Sequence, residues 1–67
     1  MITITVNGDP CELDGPATIA DLLRHLQLNP QQVAVEVNLE LVPRQRHADY
    51  ALSPGDRLEI VTLVGGG

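Results

Sequence analysis

The sequence predicts an α+β fold, a mixed sheet of about four to five strands with one helix packed on one face. Three observations carry this. β-Branched residues alternate with polar ones near the start and again at 33–38. A single apolar stripe at helical spacing runs over 19–26. The chain has 67 residues, 43% of them hydrophobic, yet Tyr50 is its only aromatic. One domain with an aliphatic core is the most that such a length supports.

The elements follow in order. In residues 1–7, Ile2, Ile4 and Val6 share one face and Thr3 and Thr5 the other, the period of a strand with one buried side. Asn7-Gly8 is a strong two-residue hairpin signal, because both residues accept positive φ. A short antiparallel strand is expected around Cys11 to Leu13. Pro10, which has no N–H to donate, places that strand at a sheet edge. Thr18 is an N-cap candidate with Asp21 in the reciprocal position of a capping box. Ile19, Leu22, Leu23 and Leu26 form the helical stripe, and Asn29-Pro30 is read as the stop.

Val33, Val35 and Val37 alternate with Ala34, Glu36 and Asn38 in a further strand. Pro43 interrupts the irregular stretch 39–52, where a short strand at Tyr50 to Leu52 is expected. Ser53-Pro54-Gly55-Asp56 has the residues of a type II turn. The last strand runs from about Arg57 to Leu63, with Leu58 and Ile60 facing the helix and Val61 and Leu63 facing away. The most apolar strands, the first and last, belong at the centre, parallel to one another. That order is the β-grasp, or ubiquitin-like, arrangement. Residues 1–63 form the domain, and 64–67 a flexible glycine tail.

Composition narrows the function. Nine acidic residues against four arginines, with no lysine, give a net charge of −5. This disfavours nucleic acid, since a phosphate backbone calls for a basic patch and bases for aromatic platforms. No apolar run approaches the roughly 20 residues of a membrane span. A lone Cys11 forms no internal disulfide and no structural zinc cluster. A soluble, cytoplasmic protein without membrane partners follows as the expectation.

Few side chains suit chemistry. Cys11 is expected to pack as a small hydrophobe. His25 is expected at the helix surface and His47 in a solvated loop, the two at no metal-ligand spacing. Ser53 is a turn residue, and Asp14 and Asp21 suit the helix start. No catalytic residue, resident cofactor or metal site is predicted. The distinctive feature is Val64-Gly65-Gly66-Gly67. Glycines lack a Cβ, so such a tail can thread a channel that excludes other residues. An ionised terminal carboxylate becomes an acyl donor only once an oxygen is made a leaving group. Adenylation with ATP and Mg²⁺ in a partner enzyme would do this.

The chain resembles the small sulfur carrier proteins of thiamine biosynthesis, the ThiS family. The resemblance lies in the first strand with its Asn-Gly turn, the helix Thr18-Ile19-Ala20-Asp21-Leu22-Leu23, and the strand Val33-Ala34-Val35-Glu36-Val37-Asn38. Val42-Pro43-Arg44, Gly55-Asp56-Arg57-Leu58-Glu59-Ile60-Val61 and the terminal Val64-Gly65-Gly66-Gly67 complete it. His47 departs from the pattern, since the family often has Trp a few residues after Pro-Arg. The resemblance implies a protein cosubstrate rather than an enzyme. An adenylating enzyme would activate Gly67 with ATP, and a cysteine desulfurase pathway would supply sulfur as a persulfide. The resulting thiocarboxylate at Gly67 would serve thiazole synthase, with Gly65 and Gly66 giving access.

Val61, Leu63 and Val64 are the expected partner-binding residues, on a sheet face no second helix covers. The acidic balance predicts basic docking surfaces on partners. Without lysine, only the Met1 amine could accept the chain's own activated tail. Alternatives are the small subunit of molybdopterin synthase, a sulfur carrier of another pathway such as cysteine synthesis, a ubiquitin-like modifier, and a β-grasp binding module.

Overall fold

A computed structural model describes residues 1–63. Five strands and one α-helix are observed: β1 (Ile2–Val6), β2 (Asp9–Leu13), α1 (Ile19–His25), β3 (Val33–Val37), β4 (Glu40–Val42) and β5 (Arg57–Thr62). The sheet order is β2-β1-β5-β3-β4. β1 and β5 are parallel, and the other pairs are antiparallel. The expected central pairing of first and last strands is therefore present.

β1 and β2 are joined by Asn7-Gly8 at φ 51° and 88°, the doubly left-handed conformation of a type I′ turn. Val6 pairs with Asp9 across the turn, which puts Thr5↔Pro10 at a non-hydrogen-bonded position of the ladder. Pro10 thus turns its nitrogen outward at the sheet edge, where no donor is needed.

Helix α1 is fixed at its start from two directions. Thr18 Oγ1 accepts from the Asp21 N–H at 3.2 Å, and Asp21 Oδ2 accepts from the Thr18 N–H at 3.0 Å, a closed capping box. The two preceding orphan donors are satisfied from afar: Ile19 N–H donates to the Tyr50 carbonyl and Ala20 N–H to that of His47. Asp21 also accepts from Arg24 Nη2 at 2.6 Å. That ion pair is exposed and contributes little.

The helix ends earlier than expected. Gln27, not Asn29, takes the left-handed conformation, at φ 60°. Leu28 N–H donates to Leu23 O and Gln27 N–H to Arg24 O, the two bonds of a Schellman motif. Asn29 instead caps a 3₁₀ turn over Pro30–Gln32, its Oδ1 accepting from the Gln31 N–H. The left-handed cap works here because Leu28 closes the turn by packing on the core.

The expected strand at Tyr50 to Leu52 is absent. Ala51 forms only an isolated bridge with Thr18, and Leu52 drops into the core. The fourth strand is β4, at Glu40–Val42, joined to β3 through Asn38-Leu39 at φ 52° and 73°. This is a second type I′ geometry, with leucine where glycine would signal it. The type II turn at 53–56 is as expected: Asp56 N–H donates to Ser53 O, and Gly55 has φ 86°.

Ile4, Leu13, Ile19, Leu22, Leu23, Val35, Val37 and Leu58 are among the buried aliphatics between sheet and helix. Each such side chain contributes about 1.5–3 kcal/mol on burial. The four largest on the helix and β5, Ile19, Leu22, Leu23 and Leu58, are essentially inaccessible.

The capping box gives a pH signature. The Thr18 N–H first, then the Arg24 side chain and the Thr18 hydroxyl, hold the Asp21 carboxyl below its ordinary value. With the folded pKa depressed, the cap's contribution is present above the unfolded carboxylate range near 4 and is lost as pH falls through the folded pKa. Urea unfolding should show Thr18→Ala less stable by about 1 kcal/mol at neutral pH. In Asp21→Asn the part of the acid-range stability loss that comes from this carboxyl should vanish.

Candidate functional site

The outer face of the sheet is built by alternation. Core-facing Leu58 and Ile60 leave Arg57, Glu59 and Val61 of β5 on the opposite side, and Leu63 follows in the same register. Ala34 pairs with Val61, and Glu36 pairs with Glu59 on one side and Leu41 on the other. The helix covers only the other face. Val61 is therefore 58% exposed and Leu63 52%, with Leu41 and Leu39 also exposed nearby. The surface is mixed: aliphatic side chains border two directly opposed glutamates. Like charges opposite one another disfavour the free sheet slightly and favour a basic group placed against them.

Of the expected partner-binding residues, Val61 and Leu63 lie on this uncovered face. Val64, and the tail residues Gly65, Gly66 and Gly67, lie outside the described residues. β5 leads toward them: Thr62 pairs with Val33, and Leu63 N–H donates to the Gln32 carbonyl at 2.7 Å.

The remaining candidates are scattered. Cys11 is half-buried on β2 and packs against the core. His25 is exposed at the end of α1, and Ser53 is exposed in its turn. An open hollow of about 260 Å³ runs past Glu12, Asp14, Asp21 and His25, and one of about 300 Å³ lies between Asn38, Leu39, Arg57 and Glu59. Among the described residues neither is lined by a serine, threonine or cysteine. Among the described residues no cluster of His, Cys, Asp and Glu is placed to hold a metal, and no helix is long and apolar enough to cross a membrane.

His47 corrects the expectation of a solvated loop, since only 4% of it is exposed. Its Nε2 lies 3.1 Å from the Val42 carbonyl, which can only accept, so Nε2 carries the proton. Nδ1 is buried without a hydrogen-bond partner among the described residues. The preceding Arg44 and Arg46 are exposed, which is why the segment reads as a loop. A 3₁₀ turn over Arg44–Arg46 rolls His47 inward, where it ties β4 to the helix start through its own carbonyl. The ring is thus a buried part of the packing beneath this segment.

One helix on a five-stranded mixed sheet, with first and last strands parallel at its middle, is the ubiquitin-like β-grasp fold. The model of the ThiS family matches residues 4–67, and the chain belongs to that family. It is similar to a crystal structure of a thiamine biosynthesis protein (ThiS) from Geobacter metallireducens, with a TM-score of 0.84 and 32% identity. That match covers 98% of this chain and 100% of the other. The sulfur carrier protein ThiS of Bacillus subtilis is 44% identical over 50 residues, 75% of this chain and 76% of that protein. A thiazole synthase of Paramagnetospirillum magneticum is 41% identical over 64 residues, 96% of this chain; the chain spans only 20% of that relative's length.

Replacing His47 tests its structural role. His47→Ala should cost roughly 1–3 kcal/mol, because it removes the buried ring and its hydrogen bond to the Val42 carbonyl. Chemical denaturation should register this as a shifted midpoint.

Proposed function

We infer that this chain is a sulfur carrier of thiamine biosynthesis, acting as a protein cosubstrate. The ThiS family match over residues 4–67, on a β-grasp body, is the observation that carries the reading. The finer chemistry is proposed as follows. A Gly67 carboxylate oxygen attacks the α-phosphorus of ATP in an adenylating enzyme, and pyrophosphate leaves. A persulfide sulfur, delivered by a cysteine desulfurase pathway, then attacks the acyl carbon and expels AMP. Cleavage of the S–S bond by a second thiol leaves a thiocarboxylate on Gly67. The ATP and Mg²⁺ belong to the partner. This chain contributes a main-chain carboxyl and the steric access of Gly65 and Gly66.

Thiazole synthase is the proposed receiver. Support comes from the relative of that name in Paramagnetospirillum magneticum, which contains a region 41% identical to nearly the whole of this chain. Val61 and Leu63, with Val64, form the proposed docking patch beside the proposed glycine tail Gly65-Gly66-Gly67. The exposure of Val61 and Leu63 on an uncovered sheet face supports this. The acidic surface around them, including Glu36 and Glu59, favours a basic partner.

Incubation with an adenylating enzyme, ATP and a sulfur source should shift the intact mass by the replacement of one oxygen with sulfur. Removal of Gly66 and Gly67 should abolish the shift; an unreactive full chain would rule out the carrier reading. Leu63→Asp should leave stability within about 0.5 kcal/mol. The same variant should slow thiocarboxylate formation roughly five- to tenfold, the loss expected for an interface anchor, and an unchanged rate would remove Leu63 from the docking patch.

A further inference from the structure

Strand β5 has partners of unequal reach. β3 accompanies it from Leu58 through Thr62, whereas β1 pairs only Thr5 with Arg57 and Val6 with Leu58. Past Val6 the backbone turns away at Asn7-Gly8 into β2, and β5 runs on without a β1 residue beside Ile60.

The Asn7 carboxamide takes that place. Ile60 N–H donates to Asn7 Oδ1 at 2.8 Å, and Asn7 Nδ2 donates to the Ile60 carbonyl at 3.1 Å. The Asn7 N–H itself donates to Leu58 O at 2.9 Å. One side chain thus supplies the donor and acceptor of the missing strand residue. Fifty-three positions separate the two partners, so these bonds serve no local turn.

Asn38 is its counterpart at the other end of β5. Arg57 N–H donates to Asn38 Oδ1, and Asn38 N–H donates to Arg57 O. Asn38 Nδ2 also donates to Asp56 Oδ1. Both asparagines open a two-residue turn, at φ 51° and 52°. Asn38 fastens β5 where it enters the sheet, and Asn7 fastens it where it leaves.

We propose that Asn7 is a positioning residue for the carrier reaction, acting through the Ile60 backbone to fix where the leaving half of β5 places Leu63. The proposal rests on the carrier reading above. Without the carboxamide, the leaving half of β5 is gripped on the β3 side alone, through the Ala34↔Val61 and Val33↔Thr62 register and the Leu63–Gln32 bond. A strand gripped on one side can swing in the plane of the sheet. A displacement of about 1 Å at a reacting centre can cost about 100-fold in rate.

Two glycine substitutions separate exit geometry from stability. Asn7→Gly and Asn38→Gly each preserve the left-handed turn position, which glycine adopts freely, and each removes one carboxamide clamp on β5. With the full chain, an adenylating enzyme and ATP, Asn7→Gly should lower kcat by about tenfold or more. Its KM should rise by no more than about twofold, because the substitution removes no side chain of the Val61–Leu63 patch. Asn38→Gly should keep both constants within about twofold. Amide exchange at Ile60 in the free chain should accelerate in Asn7→Gly and not in Asn38→Gly. A wild-type kcat in Asn7→Gly, an equal loss in Asn38→Gly, or unchanged Ile60 exchange in Asn7→Gly overturns the proposal. If the wild-type chain itself is not adenylated, the carrier reading fails and the reaction role with it, while the Ile60 exchange shows separately whether the clamp exists.

Discussion

Parallel pairing of β1 with β5 brings the first and last strands side by side, and everything between them has to cross over the sheet to make that possible. Parallel neighbours cannot be joined by a tight turn. The chain uses the crossover to lay α1 across one face, add β3 and β4 beyond β5, and return through the turn at 53–56. β5 is thereby the middle strand of five, with Leu58 sealed under the helix. The strand that leads to residues 64–67 is also the one most deeply tied into the sheet. Under the proposed carrier chemistry, this gives the reacting terminus a firm base.

The irregular stretch between Pro43 and Leu52 matters for the same reason. It has little secondary structure of its own, yet the carbonyls of His47 and Tyr50 receive the first two N–H groups of α1. Leu52 N–H in turn donates to Ala17 O. The helix has only seven residues and would be marginal alone. Its start is held by a capping box from its own sequence and by backbone acceptors from some thirty positions further along the chain, so α1 and this segment depend on one another.

Much of this was legible in the residues. The valine alternation of β3, the Ile-Thr alternation of β1, Asn7-Gly8 and the Thr18/Asp21 pair are local signals whose physics is local, and the structure follows them. The misreadings share the opposite property. β4 is three residues long, and its turn uses Leu39 in a left-handed conformation that carries no glycine signal. Gln27 ends the helix because Leu28 has a core to pack on, which no neighbouring residue announces. His47, which follows the exposed Arg44 and Arg46, is buried against a carbonyl on β4. The second bonds of Asn7 and Asn38 were equally hidden, since each residue is fully accounted for by its turn until the third strand arrives beside it. The outer face, by contrast, was readable at Val61 and Leu63, because alternation in a one-helix fold leaves only one covered side.

The outward-turned nitrogen of Pro10 has a further consequence for the life of the molecule in solution. An unprotected strand edge invites self-association. One margin of this sheet ends in β2, where Pro10 removes an outward donor and Asp9 and Glu12 add charge. The other ends in β4, too short to template a long ladder and opened by Glu40. Both margins are thus poor seeds for aggregation, so the molecule can be crowded without zipping onto its neighbours.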